Sequence, residues 1–263
     1  MISLCLHSYN RGHHLKQTLA WNLKSLENFP NSELILFDSG STDGTREWVA
    51  KCFPRELSTG VLKYYIGTRI VPFNVMCSKN RSHFQASKEI LFNLDADNFV
   101  TTEEISWVVN KINNSKNSNA LHLWSGEFGD GSCGKVVVAK SKFNELNGYN
   151  ERLNGFGFEE FDLLWRIQKK YLANVVAIGN LNKRSINGVK YQIEKVNFKQ
   201  KAAIQHARSE TLNVLGLDEK DYFKIVMANK KYSLKEMRNG NIEDFVPNSK
   251  KQKFERILSP HSI

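Results

Sequence analysis

From Ile2 to Asn98 short apolar runs alternate with helix-like segments, and no other feature restricts the fold as much. The runs are ISLCLHSY (2–9), ELILFD (33–38), VLKYYIG (61–67) and EILFNLDADN (89–98). Strands separated by helical segments pair through crossovers, so the pattern predicts an α/β sheet with helices on its faces. After Gly12, Leu15, Leu19, Leu23 and Leu26 recur at the spacing of an amphipathic helix. The loop SGSTDGT leads to a helix in REWVAKCF, capped by Thr42 or Asp43, and NRSHFQASK supplies another. TTEEISWVVNKI is read as a helix, and NALHLWSGEFG, GKVVVAKSKF and NVVAIG (174–179) as strands. A turn-rich stretch from Asn144 runs into a helix near Glu159. Residues 181–263 are read as helical and basic, with little strand signal.

A chain of 263 residues is long enough for one domain with a sizeable core. No apolar run approaches the roughly 18 residues of a membrane span. Met1 runs into ISLCLHSYN without a basic region or a cleavage site, so no signal peptide is expected. Cys5, Cys52, Cys77 and Cys133 are scattered, as free thiols in a reducing cytosol would be. The formal charge of +10 suits nucleic acid, an anionic membrane surface or a phosphorylated substrate. Basic residues are densest in 182–201 and 248–257, without the interleaved aromatics of an RNA-binding surface, so nucleic acid is not an expected partner. The tail KKQKFERILS, with Phe254, Ile257 and Leu258 on one side, reads as a helix packed on the domain or lying on an anionic membrane.

The fourth run ends in Asp95 and Asp97. Alternate residues of a strand share a face, so both carboxylates are expected in one crevice beyond the strand's carboxyl end. Two hard oxygen donors suit Mg²⁺ or Mn²⁺. A turn or helix cap is the structural alternative.

SLCLHSYNR, ELILFDSGSTDGT and NRSHFQASKEILFNLDADN, in that order, resemble the family 2 glycosyltransferases of the GT-A fold. The resemblance implies a site for a sugar nucleotide. Asp38 would accept from the uracil N–H, Tyr9 would pack by the base, and Asn10 and Arg11 would lie along the nucleotide. Lys79, Asn80 or Arg81 would reach the ribose or diphosphate. Asp95 would face the ribose, and Asp97 would be the principal ligand of Mn²⁺ or Mg²⁺. A third ligand is expected late in the chain, where KAAIQHARSE offers His206, although a lone helical histidine is often a surface or core residue. Asp43 is read as an N-cap and His122 as packed. His13 and His14 are set aside as a metal pair because adjacent helical residues face different directions.

A second segment, GKVVVAKSKFNELNGYNERLNGFGFEEFDLLWRI (134–167), resembles the acceptor side of β-1,4-galactosyltransferases and of bacterial capsule and chondroitin-type polymerases. Phe143, Asn147, Gly148, Tyr149, Gly155, Gly157, Glu159, Asp162 and Arg166 match, while Phe156 replaces the pattern's Trp and Glu160 its Asp. The resemblance implies that Glu160 is the catalytic base, that Glu159 binds the acceptor beside it, and that Phe156 offers an aromatic face to a sugar. Inverting transfer needs a base for the acceptor hydroxyl's proton, and a positioned carboxylate contributes about 10²–10⁴-fold. The bland alternative is an exposed helix terminus whose dipole favours acids. Asp162 and Arg166, four apart, read as a structural ion pair, and Cys133 in GSCG as a turn residue.

Together these readings predict an α/β protein with a GT-A (Rossmann-like) mixed central sheet flanked by helices. A core over 1–180 would divide into a nucleotide-sugar half (1–98) and an acceptor half (99–180), with a basic helical extension (181–263) packed on it. The stretch 182–201 is expected to order over the bound nucleotide. The expected function is metal-dependent, inverting transfer of a hexose or N-acetylhexosamine from a UDP-sugar to a saccharide hydroxyl, in bacterial surface polysaccharide synthesis. Galactose and N-acetylgalactosamine are the sugars favoured by the second segment. The expected place is the cytoplasm, with peripheral contact at the membrane's inner face and a lipid-linked acceptor among the options. A nucleotidyltransferase is disfavoured because no Gly-rich phosphate loop follows the first strand. A non-catalytic sugar-nucleotide or glycan-binding protein on the same scaffold is the other alternative, and retention of Asp95, Asp97, Glu159 and Glu160 argues against it.

Overall fold

The computed structural model of the protein describes residues 1–70, 73–114, 120–179, 185–198, 204, 208–239 and 247–257. Strands β1 (Ile2–Ser8), β2 (Glu33–Asp38), β3 (Leu62–Ile66) and β4 (Ile90–Leu94) form in the expected places. Helices α1 (Gly12–Ser25), α2 (Thr45–Cys52), α3 (Pro54–Thr59) and α4 (Val75–Gln85) connect them. The four strands are parallel, with β1 between β2 and β4 and with β3 outside β2. β2 and β4 read as mostly apolar runs because every residue in them is buried. Side-chain alternation divides the core between the two faces of the sheet. Leu4, Leu6 and Leu36 pack with Leu15 and Leu19 of α1, and Cys5, Ile35 and Leu91 pack with Met76 of α4.

The second half adds α5 (Thr102–Asn114), β5 (Ala120–His122), β6 (Val136–Ala139), α6 (Lys140–Glu145), α7 (Glu159–Tyr171) and β7 (Val175–Ala177). β6 runs antiparallel to both β4 and β5, which makes the sheet mixed, and β7 is parallel to β5. The C-terminal region contains α8 (Arg208–Leu215), α9 (Glu219–Asn239) and α10 (Asn248–Lys251). It also contributes strands β8 (Ser185–Ile186), β9 (Val189–Ile193) and β10 (Glu255–Ile257), so the 10-stranded order is β10-β3-β2-β1-β4-β6-β5-β7-β9-β8.

Two expectations need correction here. The described part of 182–201 is a sheet edge: β9 pairs with β7, and Val189 and Tyr191 point inward while Lys190 is exposed. The period-two pattern of VKYQI was obscured by the basic residues around it. Beyond α10 the tail is a strand and not the expected helix, packed or membrane-lying. β10 pairs antiparallel with β3, Phe254 meets Phe37 edge-on at 4.7 Å, and Ile257 is buried. The exposed edge of β3 is thereby covered, which accounts for a strand in a short basic segment. Leu258 lies outside the described residues. No helix among the described residues is long and apolar enough to cross a membrane.

Buried histidines link this core to pH. His83 Nδ1 lies 2.7 Å from the Lys79 carbonyl oxygen, and His122 sits between the Tyr191 hydroxyl (3.0 Å) and the Cys133 carbonyl oxygen (2.7 Å). Burial pushes their pKa values down to about 3 and about 4. The unfolded chain takes up these protons below about 6.5, whereas the folded chain waits until about 4 or lower. These two groups therefore lose stability as pH falls from 6.5, by about 1.4 kcal/mol per histidine per pH unit. Urea unfolding is expected to show a lower midpoint at pH 5 than at pH 7, with a shallower difference in His122→Gln. Equal midpoints would remove the prediction.

Candidate active site

The carboxyl ends of β1, β2 and β4 converge where the strand order reverses, which is where open α/β sheets form their ligand crevice. Two loops there are tied together. Asn10, at φ 52°, donates its backbone N–H to Ser41 Oγ (2.8 Å), and its Oδ1 accepts from the Thr42 N–H (2.8 Å). Asp43 Oδ2 accepts from the Gly12 N–H at the start of α1 (2.8 Å), and its Oδ1 accepts from the Thr45 hydroxyl at the start of α2 (2.6 Å). Burial alone would raise the Asp43 pKa, but the bonds from Thr45 and Gly12 outweigh it and leave it lowered. Asp43 thus serves two helix starts, in keeping with its reading as a cap.

Asp38 departs from its expected surroundings. It is 1% exposed at the base of this loop, with Oδ1 accepting from the Ser41 N–H (2.7 Å) and Oδ2 from the Tyr64 hydroxyl (2.9 Å). Burial raises its pKa against those bonds. Tyr9 is half-buried and carries the exposed Arg69 guanidinium 5.4 Å from its ring centroid. Asn80 turns into the packing around Tyr149, and Arg81 lines a cavity with Thr68, Gln252 and Phe254. Asn80 donates to the Tyr149 carbonyl (2.9 Å) and to Glu151 Oε1 (2.9 Å) and accepts from the Tyr149 N–H (2.8 Å). Arg81 lies between Phe37 and Phe254 and donates to the Thr68 carbonyl (3.0 Å) and to Gln252 Oε1 (3.0 Å). Three successive residues of a helix point in three directions, so they cannot share one crevice.

Asp95 and Asp97 are also not a strand pair. β4 ends at Leu94, and Asp95–Asn98 form a turn in which the Asn98 N–H donates to the Asp95 carbonyl (2.9 Å) and Asn98 Nδ2 to Asp97 Oδ1 (3.0 Å). Asp95 Oδ1 lies 3.8 Å from Lys79 Nζ and 4.0 Å from His7 Nε2, with 33% of its side chain exposed. Gly134 makes room for it, because a Cβ at that position would overlap the carboxylate. Asp97 is buried, and its charge acts on Arg11 and His14. The Ile204 N–H donates to the Asp97 carbonyl (2.9 Å), and His206 lies outside the described residues. His13 and His14 do not diverge as expected. Their rings are 4.1 Å apart, and both Nε2 atoms approach Glu210 Oε2, at 3.0 and 3.8 Å. Arg11 Nη1, 3.9 Å away, faces the same oxygen.

The centre of the crevice is a buried ion cluster. Lys79 Nζ, on a side chain 2% exposed, contacts Glu159 Oε1 (3.0 Å) and Glu160 Oε1 as well as Asp95. An ordinary helix terminus would leave both glutamates exposed, but both are buried. The chain turns into α7 through Phe158 at φ 76°, a left-handed conformation uncommon for a bulky residue. Burial and the Glu159 charge push the Glu160 pKa up to about 8, against the pull of Lys79. Burial disfavours the Lys79 ammonium, but Glu159, Glu160 and Asp95 outweigh it and hold its pKa well above the usual value. Around the ammonium, Glu159 Oε2, the Tyr149 hydroxyl and His7 Nδ1 are buried polar atoms with no hydrogen-bond partner among the described residues. Asp162 and Arg166 form the expected ion pair (2.7 Å). Cys133 sits in a turn, its thiol pushed up by burial and poorly suited to attack.

Phe156 is buried, with its ring stacked on Tyr222 of α9 at 4.8 Å. Asn229 of α9 holds the same loop, donating to the Asn154, Phe156 and Gly157 carbonyls and accepting from the Asn154 N–H. Phe128, 65% exposed, lies 4.9 Å from Trp124 and 6.2 Å from Phe161 at the start of α7. Sequence reasoning missed Arg69, Phe128 and Asn229, and no local spacing signals any of them.

Residues 3–159 match the glycosyl transferase family 2 domain. The chain belongs to glycosyl transferase family 2. Solved structures share its GT-A fold. The mannosyltransferase PcManGT from Pyrobaculum calidifontis, in complex with GDP-Man and Mn²⁺, superposes with a TM-score of 0.56 at 15% identity, over 73% of this chain and 56% of that one. TarS 1–349 from S. aureus, in complex with UDP, gives 0.52 at 16% identity, over 73% and 60%. Glucosyl-3-phosphoglycerate synthase from Mycobacterium tuberculosis, with Mn²⁺, UDP and glucosyl-3-phosphoglycerate, gives 0.53 at 16% identity, over 99% and 87%. The chain thus spans 56% and 60% of the length of the first two. No curated protein sequence matches it.

Proposed function

We propose that this glycosyltransferase moves a hexose or N-acetylhexosamine from a UDP-sugar to a saccharide hydroxyl, with inversion, in building a bacterial surface polysaccharide. The observation that carries the reading is the buried Lys79–Glu159–Glu160–Asp95 cluster at the crevice of a family 2 fold. Glu160 takes the proton of the acceptor hydroxyl as that oxygen forms its bond to the anomeric carbon. The bond from the anomeric carbon to the diphosphate breaks on the opposite face, and the electron pair leaves with the diphosphate. Glu159, with one buried oxygen unpartnered, orients the acceptor, and Lys79 holds both glutamates in place. The likeness of 134–167 to galactosyltransferase and chondroitin-polymerase segments supports galactose or N-acetylgalactosamine.

On the donor side Tyr9, with Arg69, packs by the base, and Asn10 and Arg11 lie along the nucleotide. Asp38 and Asp43 shape the loop beneath it. In this reading 1–98 is the donor half, 99–180 the acceptor half and 181–263 the extension. Asp97 and Asp95 present hard carboxylate oxygens that fit Mn²⁺ or Mg²⁺, and the cradle at Gly134 is shaped to the Asp95 carboxylate. A bound divalent ion would neutralise charge on the departing diphosphate.

Turnover with UDP-galactose, UDP-N-acetylgalactosamine, UDP-glucose, UDP-N-acetylglucosamine and GDP-mannose, with and without Mn²⁺, tests this reading. Transfer is expected from a UDP-sugar only, and it is expected to be lost with EDTA and in Asp97→Asn. Preference for GDP-mannose would overturn the donor class, and full activity in Asp97→Asn the metal role. Gly134→Ala is expected to displace Asp95 and lower kcat/KM by about 10²-fold, the cost typical of misplacing a reacting group by about 1 Å. Wild-type kinetics in that variant would free Asp95 of any role.

A further inference from the structure

The two faces of α9 have different partners. The inner face holds the loop that leads to Glu159, through Tyr222 on Phe156, Asn229 on the loop backbone, and the Ser233 hydroxyl donating to Asp162 Oδ1 (2.7 Å). The outer face carries Lys220, Lys224, Lys231, Lys235 and Arg238, all exposed, at steps of three, four and seven that put them in one stripe. Within the stripe stand two large apolar residues, Phe223 at 50% exposed and Met227 at 58%. Glu219, Asp221 and Glu236 fall to the flanks by helical phase, and Asp221 is paired with Lys224 at 2.9 Å.

We propose that this face docks on an anionic phospholipid bilayer, with α9 lying in the interface and the acceptor loop held beside the membrane surface. Charge complementarity selects an anionic partner, and the chain as a whole carries +10. The apolar pair selects lipid among anionic partners. A helix that inserts Phe and Met between headgroups while its lysines meet lipid phosphates has the pattern of an interfacial helix. A nucleic-acid backbone would use the lysines but leave Met227 in water. Docking does not depend on the transferase reading. Its consequence, a saccharide acceptor presented at the bilayer, does.

Vesicle flotation measures binding without turnover, so its failure is distinguishable from failure of the transferase reading. The full chain is expected to float with phosphatidylcholine vesicles that contain phosphatidylglycerol and to stay behind with phosphatidylcholine alone. Lys224→Gln/Lys231→Gln/Lys235→Gln is expected to weaken binding roughly a hundredfold. Phe223→Ser/Met227→Ser is expected to weaken it about tenfold even in low salt. A control triple, Lys16→Gln/Lys24→Gln/Lys51→Gln, removes exposed lysines of α1 and α2 and should bind as wild type does. Every substituted side chain is partly or fully exposed, and unchanged circular dichroism and thermal midpoints confirm folding. Equal binding by all variants, equal binding to neutral vesicles, or no binding by the wild type would overturn the proposal. So would a single-stranded oligonucleotide that binds more tightly than the vesicles and is indifferent to Phe223→Ser/Met227→Ser.

Discussion

Glu160→Gln is expected to lower kcat by about 10²–10⁴-fold while the affinity for UDP stays that of the wild type. The amide keeps the shape of the side chain but cannot accept the acceptor's proton, and the donor-side residues Tyr9, Asn10 and Arg11 are left unchanged. Burial and the neighbouring Glu159 raise the Glu160 pKa to about 8, a value suited to a base near neutral pH. Glu159→Gln is expected to act differently, raising the acceptor KM more than it lowers kcat, because its proposed role is to orient. Single-turnover rates and UDP titrations of the two variants separate these roles. A Glu160→Gln kcat within about tenfold of wild type would remove it as the base.

Lys79→Met is expected to be the most damaging change to folding among the site residues. It takes the ammonium from three surrounding carboxylates, two of them buried. Removing one partner of a buried ion cluster costs about 3–5 kcal/mol. For a chain of this length that corresponds to a fall in Tm of roughly 10 °C. The sign of the pH dependence follows from Glu160. Its folded pKa, about 8, is above the unfolded value of about 4.5, so its contribution to stability is fully present below 4.5 and is lost as pH rises through 8. Without Lys79 the folded pKa rises further, so the variant's deficit should be smallest in mild acid and grow towards pH 8. Calorimetry across that window measures it. A deficit that does not change with pH would mean that lost packing, not unpaired charge, is responsible.

Much of the fold was legible because the central parallel strands are largely buried and so appear as mostly apolar runs. The leucines of α1 and the start of α7 at Glu159 were equally plain. The site was legible in outline but not in its contacts. Strand alternation was extended to Asp95 and Asp97, but β4 ends at Leu94 and both residues lie in the turn that Asn98 closes. Asn80 and Arg81 stand beside Lys79 in sequence, yet helical phase sends them into the packing around Tyr149 and Phe254. Lys79 itself was in view as a nucleotide contact. Its partners lie 80 and 81 positions along the chain, a separation that no local pattern reveals. The edge strands β9 and β10 were hidden because tertiary pairing, not intrinsic propensity, makes strands of those basic segments.

The pH dependence of kcat/KM tests the buried base most directly, since it reports the free enzyme's essential ionisations. In the wild type kcat/KM is expected to rise as Glu160 ionises and to level off above about 8, and in Lys79→Met the midpoint is expected to move higher. A profile flat from about pH 6 to about pH 9, or one that persists unchanged in the residual activity of Glu160→Gln, would contradict the assignment.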